Sequence, residues 1–81
     1  MANRQELEQV NIIQLAVLCQ RMADDPTVDE LIAHKAQKLK REWVVLVGRD
    51  TPPPPDFKMH QQVQKEMAEL KERMVQFLST V

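Results

Sequence analysis

Glycine is almost missing from this chain: Gly48 is the only one among 81 residues, against five prolines. A loop that wraps phosphate in backbone N–H groups needs several glycines, so the usual nucleotide-binding loops are excluded. Cys19 is the only cysteine, which rules out an intrachain disulfide and with it a disulfide-stapled secreted fold. Tyrosine is absent, and the aromatic set is Trp43, Phe57 and Phe77, too few to build a stacking platform for bases. No apolar run approaches the length of a membrane span, because residues 12–23, the most hydrophobic stretch, contain Gln14, Gln20 and Arg21.

Charge of either sign is not in excess. The formal net charge is −1, which gives no overall electrostatic reason to expect nucleic acid or an anionic membrane as partner. The opening Met-Ala-Asn-Arg-Gln-Glu-Leu-Glu lacks the basic region and apolar run of a secretory signal, so a reducing cytoplasm is the expected location. Cys19, His34 and His60 fall on three different expected helices without ligand spacing, so neither a metal nor another cofactor is expected. Cys19 sits within an apolar helical stretch with no candidate base nearby in sequence, which reads as packing rather than nucleophilic catalysis. The chain is therefore not expected to be an enzyme.

Helix formers are what it does contain: Leu, Met, Ala, Gln, Glu, Lys and Arg dominate. The only β-like run, Val44-Val45-Leu46-Val47, is short enough to be the last turn of a helix. The fold class that follows is all-α: a single helical domain over 1–81, with helices at about 3–24, 27–47 and 56–79 and a linker at 49–55. The first two helices are expected to form an antiparallel hairpin. The third, coiled-coil-like helix follows a polyproline linker and lies on its own subunit or on a symmetry mate.

The punctuation supports those bounds. Asn3 can cap the first helix, with Glu6 in the capping-box place. Pro26 breaks it after Asp25. Asp25 or Thr27 then caps the second helix, and Gly48 stands where a left-handed residue would close it. Pro52 to Pro55 impose an extended path and read as a strut, or as a ligand for an aromatic groove. Asp56 caps the third helix.

The apolar faces raise a packing question. On the first helix Leu7, Ile12, Leu15, Cys19 and Met22 make one broad side, while Val10, Ile13 and Val17 make a second stripe. On the second helix Leu31, Ile32, Ala36, Leu39, Trp43 and Leu46 face one way, with Val44 and Val45 pointing out. On the third, His60, Val63, Met67, Leu70, Met74 and Phe77 recur at alternating steps of three and four, the seam of a coiled coil. Glu69 and Arg73 are spaced for an ion pair on its exposed side. A histidine on such a seam can weaken it on protonation, but most at a frayed helix end do nothing, and no role for His60 is legible.

More apolar surface is on offer than three helices readily bury. The leading expectation is a non-enzymatic small helical protein-interaction module: an adaptor, assembly factor or chaperone-like subunit that also forms a homodimer. Its interface residues are expected to be Val10, Ile13, Val17, Val63, Met67, Leu70, Met74 and Phe77. The protein partner's identity is not legible, and no membrane partner is expected. The alternative is a nucleic-acid-associated regulator that uses Lys35, Lys38 and Arg41 on the basic side of the second helix, although the near-neutral charge makes nucleic acid an unfavoured partner.

Overall fold

A computed structural model describes residues 3–50 and 56–81, so the proline strut at 52–55 lies outside the described residues. All regular structure among the described residues is helical, in the order α1 (Arg4–Glu8), α2 (Ile12–Asp24), α3 (Glu30–Asp50) and α4 (Phe57–Thr80).

The expected first helix is two helices. Asn3 caps α1, its side chain accepting from the Gln5 N–H at 2.8 Å. That bond goes to the second helical residue, and no Glu6 side-chain bond completes the box among the described residues. The chain then breaks after five helical residues because Asn11 caps afresh, accepting from the Ile13 N–H at 2.7 Å. Asparagine competes with continuous helix by offering its carbonyl to nearby backbone donors.

A second correction concerns α3, which begins at Glu30 rather than at Thr27. Asp25 does not cap it. Its carboxylate accepts from the Thr27 hydroxyl at 2.7 Å and from the Thr27 N–H at 2.9 Å, closing a local turn. Those bonds, the hydroxyl's first, hold the Asp25 carboxyl below its usual range. Asp29 does the capping, accepting from the Leu31 N–H at 2.9 Å. The later start leaves Leu31, expected in the core, 63% exposed.

The end of α3 differs as well. Gly48 lies inside the helix, which continues to Asp50, and it does not take a left-handed conformation. Asp56 caps α4 as expected, accepting from the Lys58 N–H at 2.9 Å.

Packing centres on α4. Val63, Leu70, Met74, Val75 and Leu78 are its buried residues, more than any other helix supplies. Val75 and Leu78 widen the expected narrow seam into the broad stripe of a globular helix. One core cluster joins Leu7 of α1, Leu15, Ala16 and Cys19 of α2, and Ala36, Leu39 and Leu46 of α3 to most of that stripe. The most extensive helix–helix packing is α2 on α3, and α4 touches α1, α2 and α3.

α1 is too short to persist alone. It is held by Leu7 in the core and by α4: Lys71 Nζ donates to the Glu8 carbonyl at 2.9 Å, and Arg4 pairs with Glu72. A cation at the carbonyl end of a helix also meets the negative end of its dipole.

A Cβ added at Gly48 would meet nothing within 4 Å. Gly48→Ala should therefore stabilise the fold by about 0.5–1 kcal/mol, the helix-interior preference for alanine over glycine. Urea unfolding measures this. A loss of stability would instead mark Gly48 as the left-handed helix terminus.

Candidate functional site

The expected interface residues divide sharply. Val63, Leu70 and Met74 are buried in the chain's own core, so they cannot meet a partner while the fold is intact. Val10, Met67 and Phe77 are half-buried against that core. Only Ile13 and Val17 stand open, 55% and 46% exposed, one turn apart on the outer side of α2. In this single chain α4 packs on α1, α2 and α3, so most of its apolar stripe joins the chain's own core.

The expected nucleic-acid residues Lys35, Lys38 and Arg41 are all exposed on α3. Lys38 and Arg41 line a cleft of about 400 Å³ between α3 and α4. Its apolar base is Val45, Leu46 and Leu70, and Val45 is 61% exposed. Glu42, Glu66 and Glu69 share the rim with the cations, so the face is mixed rather than basic.

Two ion pairs cross this cleft. Arg49 meets Glu66 at 2.9 Å, and Arg73 pairs with Glu42 rather than with Glu69 as its spacing had suggested. A third contact joins the same helices where the chain passes between them: the Asp50 carboxylate lies 2.9 Å from His60 Nδ1 and accepts from Gln64 at 3.4 Å. Positions rise along α4 as they fall along α3 through these contacts, so the two helices run antiparallel. Arg49–Glu66 and Glu42–Arg73 are exposed pairs and contribute at most about 1 kcal/mol each.

His60 therefore does not point a bare ring at an apolar seam. Its Nδ1 lies against the Asp50 carboxylate instead.

A second hollow, of about 310 Å³, lies between the start of α2 and α4 and has Lys71 as its single charged lining residue. Cys19 is buried in the core, and burial alone pushes its thiol from the ordinary 9.0 up to about 11. Among the described residues no group of three or more His, Cys, Asp and Glu is placed to hold a metal ion, and no helix is long and apolar enough to cross a membrane.

In comparisons with known proteins, the chain matches no family model, no curated protein and no solved structure.

The Cys19 environment gives a test of the core. Between pH 9.0 and about 11 the unfolded chain loses the thiol proton and the folded chain keeps it, so stability should fall with rising pH across that window. At neutral pH a disulfide reagent should label native Cys19 at least about 100-fold more slowly than the urea-unfolded chain, since reaction waits for opening. Equal rates would show that α2 is not packed.

Proposed function

We propose that the protein is a non-enzymatic helical interaction module that forms a homodimer and presents the assembled surface to a protein partner in the cytoplasm. The observation that supports this reading is its surface. The chain exposes 5773 Å², against about 5,000 Å² for a compact monomer of its mass. Its radius of gyration is 13.5 Å, against about 11.7 Å for a compact chain of this length.

The shape explains the excess. At 43 × 25 × 15 Å the backbone is a slab about two helices thick, so helices packed on their inner side have an outer side with no neighbour. On α2 that outer side carries Ile13 and Val17 where a monomer has no use for apolar residues. The five residues between α2 and α3, together with their extensive packing, favour an antiparallel hairpin as the unit that presents this face. In a dimer, Ile13 and Val17 would meet their symmetry equivalents, with Val10 at the edge of the contact.

The nucleic-acid reading has less support, because three glutamates share the rim with Lys38 and Arg41.

Sedimentation equilibrium tests the dimer. The natural chain should sediment as a dimer, and Ile13→Glu with Val17→Glu should give a monomer of unchanged helix content, since neither side chain belongs to the core. A natural chain that stays monomeric up to millimolar concentration would overturn the reading. So would salt-dependent binding to RNA or DNA that is lost on Lys35→Glu, Lys38→Glu and Arg41→Glu, which would favour a nucleic-acid regulator.

A further inference from the structure

α1 is attached to the molecule by few contacts. Leu7 is its one buried residue, and Arg4, Gln5, Glu6 and Glu8 are exposed. α4 is the only helix it packs against extensively. Across that contact Arg4 pairs with Glu72, and Lys71 Nζ donates to the Glu8 carbonyl at 2.9 Å; both contacts are exposed, so water competes for them. Its own backbone bonds cannot hold it either, since five helical residues fall well short of a stable helix in water. One buried leucine must therefore offset most of the entropy lost in ordering the segment.

The rest of the backbone is complete without α1. α2 carries its own cap: Asn11 Oδ1 accepts from the Ile13 N–H, and the Asn11 carbonyl accepts from the Leu15 N–H at 3.1 Å. Gln9 and Val10 turn their N–H groups back to the carbonyls of Glu6 and Leu7, at 3.2 and 3.1 Å. Among the described residues, no backbone hydrogen bond passes from residues 3–10 to α2. The hollow at the start of α2 borders Asn11 and Lys71, which leaves open space beside this joint.

The surface that α1 covers can be placed on α4. At about 100° per residue, Val75 lies about 40° around the helix from Lys71 and about 60° from Glu72, between the two residues that hold α1. Val75 stands outside the run of Val63, Met67, Leu70 and Met74, yet it is only 1% exposed. Leu7 is the apolar side chain that α1 brings to this place.

We propose that α1 is a strap that opens and closes on α4 as one unit, independently of the core of α2, α3 and α4, and that its opening uncovers Val75 as it frees Leu7. The fresh cap at Asn11 is the joint, because α2 keeps its first turn whether the strap is docked or not. The closed strap keeps two apolar side chains out of water. Sequence reading treated residues 3–24 as one helix, so it had no joint about which such a strap could turn.

Native-state hydrogen exchange on the full chain reads the strap. The Leu7, Gln9 and Val10 amides should share one protection factor, above that of a free chain and at least about 100-fold below that of the Leu15 to Cys19 amides, because a separate, smaller opening exposes them. Leu7→Ala should abolish that protection. It should lower protection at Leu15 to Cys19 by no more than the same factor, since docking the strap adds only its own closing equilibrium to the stability of the core. In Val75→Cys, a disulfide reagent without denaturant should label the introduced thiol at least about tenfold faster than Cys19, a ratio read within one chain. Strap amides protected as strongly as those of α2, or not protected at all, would overturn the proposal. So would a fall at Leu15 to Cys19 in Leu7→Ala that exceeds the strap's own protection, or equal labelling of the two thiols.

Discussion

Burial of one face of α4 is the constraint on which the other helices depend. A chain of 81 residues has a small core, and ordering each residue costs about 1–2 kcal/mol of backbone entropy, so no large apolar stripe is left over for decoration. Leu70 and Met74 are covered almost completely, as are Val63 and Val75. A buried side chain of this size contributes about 1.5–3 kcal/mol. α4 is also the helix that holds α1 in place, through Leu7 and through the contacts from Lys71 and Glu72. Without it, α1 loses its support and α2 loses cover for Leu15 and Cys19.

Polar contacts do a different job in this molecule. No polar or charged residue is buried among the described ones, and no buried side-chain donor or acceptor is left without a partner. The ion pairs lie at the edges of the helix contacts, where water weakens them. Their order along α3 and α4 favours this pairing over a slipped one, because sliding α4 by one turn would part Arg49 from Glu66 and Arg73 from Glu42 together. Apolar burial provides the attraction, and the surface pairs choose one alignment. The cleft is a consequence: with α3 and α4 alongside, Val45 and a rim of mixed charge lie together.

Features governed by a residue's own neighbours in sequence could be read before the fold was known. Asn3 and Asp56 cap where expected, Cys19 is buried, and Val44 and Val45 point outward. Features decided by competition could not. Asn11 sits in a stretch whose apolar pattern favours continuous helix, yet its side chain makes the better local bond. Asp29 takes the capping role because Asp25 is already engaged by Thr27. Gly48 stays helical because the bonds of α3 continue past it to Asp50. Arg73 chooses Glu42 over Glu69 only because α3 lies alongside. The same limit applies to function: stripes on single helices were legible, but which of them remained free depended on how α4 packed.

The central claim, that α4 closes a single cooperative core on its own chain, is tested most directly by native-state hydrogen exchange. In the monomer expected from Ile13→Glu with Val17→Glu, amides around Leu70 to Val75 should exchange as slowly as those around Leu15 to Cys19, with both sets at the free energy of global unfolding and both independent of protein concentration. Exchange in α4 that is markedly faster than in α2, or that slows only as concentration rises, would contradict the account and assign that helix to a partner molecule instead.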